Sequence, residues 1–68
     1  MRKESKRLGR NLVRIRKGKG ISQERLSKML RTDRSFVSTI ENGKTNPTLA
    51  TIARLAKAIG VSVSELSK

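Results

Sequence analysis

Arg34, Ser35, Ser38 and Thr39 lie close together in the stretch Ile21 to Gly43, ISQERLSKMLRTDRSFVSTIENG. If this part of the chain is helical and Val37 is set at zero, Ser35 and Thr39 fall at about 160° and 200°, Asn42 at about 140° and Ser38 at about 100°. Ile40, Asp33 and Glu41 fall within about 60° of Val37, so that arc faces a core. Arg34 sits on the flank at about 60°, in the first turn, where its long side chain can swing past the helix end. Small hydroxyl and amide groups directed outward let a helix axis come close to base edges. A guanidinium beside them offers the planar fork that matches the two acceptors of guanine. The chemistry available here is recognition by hydrogen bonding.

Catalysis finds no comparable set. The 68 residues contain no histidine and no cysteine, no phosphate-binding glycine loop and only five acids, so neither a metal site nor a nucleophile with its base can be assembled. No enzyme activity, cofactor or small-molecule substrate is expected. Charge points to a partner instead: 17 Lys and Arg against 5 Asp and Glu give a net charge of +12, which predicts attraction to polyanions. Nine of those cations and one acid, Glu4, fall in residues 1–20, leaving 9 − 1 = +8 there and +4 in the remainder. Residues 1–7 read as a basic N-terminal arm and residues 8–66 as one domain. No apolar run approaches the eighteen or so residues that span a bilayer, so a cytoplasmic location and no membrane partner are expected.

The elements that must hold the outward residues follow from apolar spacing and capping. Leu8, Leu12 and Ile15 share one stripe of a helix from about Ser5 to Lys17, ended by Gly18 and Gly20. Ser22 caps a second helix with Glu24 in its first turn and Leu26, Met29 and Leu30 on its buried side. Asp33 caps the third helix, which runs to about Glu41 and closes at Gly43. After Asn46-Pro47, Thr48 caps a fourth helix with Leu49, Ile52, Ala53, Ala56 and Ile59 on its apolar face, ending at Gly60. Ser62-x-x-Glu65 is a capping box that opens a short fifth helix. The fold class is all-α: a compact five-helix bundle containing a helix-turn-helix.

Arg16 falls inside the apolar arc of the first helix, and Glu41 on the equivalent border of the third. Opposite charges so placed are costly apart and tolerable together, so they are expected to form a structural ion pair that fixes the angle between these helices, with a spare Arg16 donor for a phosphate. Phe36, the one aromatic residue, sits on the rim of the third helix, where it pads the core or presses on sugar and thymine methyl groups.

The segments Asn11-Leu12-Val13-Arg14-Ile15-Arg16, Gly20-Ile21-Ser22-Gln23-Glu24, Ser35-Phe36-Val37-Ser38-Thr39-Ile40-Glu41-Asn42-Gly43-Lys44, Asn46-Pro47-Thr48-Leu49 and Ile59-Gly60-Val61-Ser62 occur in that order across most of the chain. With them the sequence resembles the XRE-like helix-turn-helix family of the phage lambda and 434 repressors and Cro proteins. The resemblance implies a lambda repressor-like DNA-binding domain whose third helix reads the major groove, with a homodimer covering a palindromic operator. It places Arg34, Ser35, Ser38 and Thr39 at base-reading positions. Ser22, Gln23, Asn42 and Lys44 fall at positions near the DNA backbone, as do Arg10, Arg14 and Lys17 at the end of the first helix. Gln23 matches a glutamine that also buttresses the recognition helix. The chain departs from the family pattern at Arg31, where the turn usually has glycine, at Arg25 in place of glutamate, and at Ser67 in place of an apolar residue.

The expected function is sequence-specific binding of double-stranded DNA by a transcriptional regulator, a repressor rather than an activator. An adaptor of the same fold, binding acidic protein or RNA-containing partners through its basic faces, is the alternative. RNA recognition by stacking is disfavoured by the single aromatic residue.

Overall fold

Leu8, Leu12 and Arg16 recur on successive turns of one helical face, and a computed structural model describing residues 3–68 buries that face along α1 (Lys3–Gly18). The helix begins earlier than the apolar spacing suggested. Glu4 in the first turn complements the helix dipole, and Ser5 is already buried. Lys3 to Arg7 of the expected basic arm are therefore the opening turns of α1, while Met1 and Arg2 lie outside the described residues.

The remaining helices are α2 (Gln23–Leu30), α3 (Arg34–Glu41), α4 (Leu49–Ile59) and α5 (Val63–Ser67). Ser22 and Thr48 cap α2 and α4 by accepting from the backbone N–H of Arg25 and Thr51, and Ser62 with Glu65 forms the reciprocal capping box of α5. Asp33 stands at the N-cap position of α3, yet its side chain makes no capping bond. The Phe36 N–H turns to the Asp33 backbone carbonyl instead, at 3.1 Å, and the exposed carboxylate is left outside the first turn.

Ten apolar residues from all five helices meet in the centre: Leu8, Leu12, Leu26, Leu30, Val37, Ile40, Leu55, Ala56, Ile59 and Leu66. Each fully buried leucine or isoleucine contributes roughly 1.5–3 kcal/mol from removal of apolar surface. Two expected faces are rotated. On α2, Ser27 is buried and Met29 is 46% exposed, because the Leu26–Leu30 stripe turns toward Ser27 rather than Met29. On α4, Leu55 is fully buried whereas Leu49 is 71% exposed and Ala53 is exposed. The face of α4 centres on Ile52, Leu55 and Ile59, which leaves Leu49 on its edge and Ala53 beyond it.

Two contacts that fix helix packing were absent from the sequence-based expectations. Gly9 lies in the middle of α1 against the last turn of α3, where a Cβ would stand 2.7 Å from the Ile40 carbonyl oxygen. From α4, Arg54 Nη2 donates to the Leu30 carbonyl at 2.6 Å, satisfying an acceptor at the end of α2 that the helix itself cannot pair. The described residues occupy 26 × 22 × 21 Å and contain no strand and no helix long and apolar enough to cross a membrane.

Candidate nucleic-acid interface

α2 and α3 are joined by Arg31, Thr32 and Asp33, and the turn is built on a left-handed residue. Arg31 has φ 59° and ψ 48°, with its N–H donating to the Lys28 carbonyl and the Thr32 N–H to the Ser27 carbonyl. Glycine adopts this conformation without penalty, whereas a side chain crowds its own backbone there. The chain nevertheless closes α2 with the same paired-carbonyl termination found at Gly43 after α3. Arginine at the usual glycine position therefore leaves the helix-turn-helix geometry intact.

The inner side of α3 is anchored by a buried polar network. Arg16 Nε and Nη2 donate to Glu41 Oε2 and Oε1 at 2.5 and 3.1 Å, and the two side chains are 8% and 4% exposed. The expected pair thus forms. Arg16 Nη1 also donates to the Ile21 carbonyl at 2.8 Å, so three of the five guanidinium N–H groups have structural partners. Gln23 Nε2 adds a further bond to Glu41 Oε1 at 2.8 Å, so the first residue of α2 braces the last residue of α3. This network and the buried Val37 and Ile40 hold one side of α3 against the body.

The opposite side stays free. Arg34, Ser35 and Thr39 are exposed and Ser38 is half-buried. Thr39 Oγ1 donates to the Ser35 carbonyl at 2.7 Å, and Asn42 Nδ2 donates to Ser38 Oγ at 3.3 Å. Asn42 ends the helix, and Lys44 follows Gly43, exposed, with its N–H donating to the Thr39 carbonyl.

Of the expected backbone-contacting residues, the fold brings Lys17, Ser22 and Gln23 to a shallow depression that they share with Arg16, Glu24 and Arg34. Lys17 comes from the end of α1, Ser22 and Gln23 from the start of α2, and Arg34 from the start of α3, so three helix termini converge on one open surface. Ser22 Oγ is already engaged as the cap of α2, and a hydroxyl retains a donor for a further partner. Arg10 and Arg14 do not join this group. Both are exposed on α1, and Arg14 Nη2 donates at 3.4 Å to Asn11 Oδ1, whose own amide donates to the Leu66 carbonyl of α5.

Phe36 is 39% exposed and lines a second depression with Leu30, Arg31, Thr32, Thr51 and Arg54. It is not among the partly buried apolar residues packed against the core, which include Ile15, Ile21 and Ile52. Sequence did carry a signal for Gly9, since an isolated glycine inside a helical pattern usually marks close packing. Arg54 carried none, because a single cation on an exposed helical face reads as solvated.

Comparison with known proteins agrees with this architecture. A family model described as "Helix-turn-helix" matches residues 12–66. The uncharacterized HTH-type transcriptional regulator y4dJ of Sinorhizobium fredii is 39% identical over 61 residues, which cover 90% of this chain and 79% of that protein. Control protein C.MunI of a Mycoplasma species is 38% identical over 61 residues, covering 88% and 82% of the two chains. Among solved structures, the restriction-modification controller protein C.AhdI from Aeromonas hydrophila superposes with a TM-score of 0.86 at 37% identity, covering 91% of this chain and 94% of that one.

Proposed function

Because this chain belongs to the helix-turn-helix family of DNA-binding transcriptional regulators, we propose that it acts as a homodimeric repressor in the cytoplasm, with α3 of each protomer in the major groove of a palindromic operator. The observation that carries this reading is the two-sidedness of α3. Val37, Ile40 and Glu41 are committed to the interior, while Arg34, Ser35 and Thr39 emerge together on the exposed side. Arg34 supplies bidentate recognition of guanine, and Ser35, Ser38 and Thr39 supply short contacts that let the helix seat deeply. In this arrangement Lys17, Ser22 and Gln23 on one side, and Asn42 and Lys44 on the other, contact the two phosphate backbones that border the groove, a role that their exposed or part-exposed positions at helix ends support. Twofold symmetry sets the half-sites about one helical turn apart, roughly 34 Å.

Selection of bound sequences from a random duplex library supplies the operator, and a palindromic consensus is expected. Mobility shifts on that operator and on scrambled DNA then separate the roles. Arg34→Ala is expected to lose preference at one base position, and Lys44→Ala to weaken every sequence alike. Identical behaviour of the two variants, or a library that yields no consensus, would reject the reading and favour an adaptor that uses the same basic faces for protein.

A further inference from the structure

The outer side of α1 carries more positive charge than one duplex seated on α3 can use. With Leu12 at zero, α3 lies at about 50°, between Arg16, which bonds Glu41, and Gly9, which abuts Ile40. α5 lies near 260°, where Asn11 bonds Leu66. Lys6 and Lys17 fall at about 120° and 140°, on the flank toward α3. Lys6 indeed touches the turn after α3 at Gly43, and Lys17 shares the depression with Arg34. Lys3, Arg7, Arg10 and Arg14 fall at about 180°, 220°, 160° and 200°, so they look away from α3 by roughly 110–170°.

These four residues, spaced by four, three and four positions, make a continuous exposed ridge. Like charges at such spacings repel one another and weaken a helix, and among the described residues none of the four is in an ion pair. Folding gains nothing from this repulsion. It is relieved when a polyanion lies along the ridge, and duplex DNA, with one charge per about 1.7 Å of axis, supplies phosphates along its whole length.

We propose that the ridge Lys3–Arg7–Arg10–Arg14 is a second DNA-binding surface, which holds a neighbouring duplex by its phosphates while α3 occupies the operator. Binding there is sequence-independent and salt-sensitive, because no side chain on the ridge is presented to base edges. The protein bound at its operator thereby bridges two DNA segments. This inference rests on the operator reading given above, and its test keeps the two apart.

The operator duplex, immobilised and saturated with protein, is challenged with a fluorescent duplex lacking the operator, at about 50 mM salt. Native protein is expected to retain the second duplex. Lys3→Glu combined with Arg7→Glu is expected to reduce retention about tenfold with operator affinity within about twofold, and the uncharged pair Lys3→Gln and Arg7→Gln to give an intermediate loss. Thermal unfolding of each variant verifies folding. Arg34→Ala, by contrast, is expected to lose operator selectivity while keeping the second duplex, so an Arg34→Ala variant of unchanged selectivity condemns the operator reading and not the ridge. Failure of native protein to retain the second duplex, or equal retention by the charge-reversed variant, would overturn the bridging proposal. So would displacement of the second duplex by polyglutamate or single-stranded RNA at concentrations where unlabelled duplex is ineffective.

Discussion

Gly9 of α1 is separated from the carbonyl of Ile40 in α3 by less than the space a methyl group needs: a Cβ there would lie 2.7 Å from that oxygen and 2.9 Å from the Glu41 carbonyl carbon. Both obstacles are backbone, so neither can rotate away. Gly9→Ala is expected to push the two helices apart and to destabilise the fold by about 1–3 kcal/mol or more, despite the better helix propensity of alanine. Gly18→Ala, at the end of the same helix, meets nothing within 4 Å and is expected to be neutral or stabilising. Thermal unfolding of the two variants side by side checks the contrast, and equal melting temperatures would refute it.

Arg31 predicts the opposite sign. Its left-handed backbone costs roughly 1–2 kcal/mol that glycine would not incur, offset in part by the greater freedom of glycine in the unfolded chain. Arg31→Gly should therefore stabilise by about 0.5–1 kcal/mol, and Arg31→Val, with its branched Cβ, should destabilise. Urea denaturation midpoints would decide it, and a glycine variant weaker than the native chain would show that the arginine side chain stabilises the turn in some other way.

The buried pair of Arg16 and Glu41 is expected to behave asymmetrically under mutation. Glu41→Ala strands a guanidinium and frees the Gln23 amide, and should cost about 3–5 kcal/mol. Arg16→Met with Glu41→Leu removes both charges and should be less damaging than either single change. A double-mutant cycle on unfolding free energies is the measurement, and additivity of the two single losses would mean that the charges do not depend on each other.

Operator affinity should fall steeply with salt, with a logarithmic slope of about −0.9 per phosphate neutralised. Lys17→Ala and Lys44→Ala should each flatten that slope by about one such unit, since both are exposed and are proposed above to contact the backbone. Fluorescence anisotropy titrations at several salt concentrations provide the slopes. A variant with unchanged slope would remove its lysine from the interface.

Helix number, the caps at Ser22, Thr48 and Ser62, the Gly43 ending and the Arg16–Glu41 pair were legible in the sequence, because each depends on local spacing or on a charge that cannot be buried alone. Features decided by neighbouring helices were less so. Met29 and Leu49 have the composition of core residues, but the contacts of α2 and α4 select Ser27 and Leu55 in their place. Asp33 shows the same limit at a cap: its position was readable, whereas the competition between its carboxylate and its own carbonyl for the Phe36 N–H was not. On α3, helical angles put Arg34, Ser35 and Thr39 on the side that the structure leaves exposed. That Arg10 and Arg14 do not line the depression Lys17 shares with Arg34 emerged only from the folded arrangement of the helices.

The bond from Thr39 to the Ser35 carbonyl bears on what this position can discriminate. A threonine hydroxyl has a single proton, and here it is spent within the helix, so outward the oxygen presents lone pairs alone. Thymine O4 and guanine O6 have nothing to give such an oxygen, whereas the exocyclic amines of adenine and cytosine do. With α3 seated in the major groove as proposed, and while the internal bond persists, Thr39 is expected to favour an amine-bearing base through its oxygen and a thymine only through its methyl group.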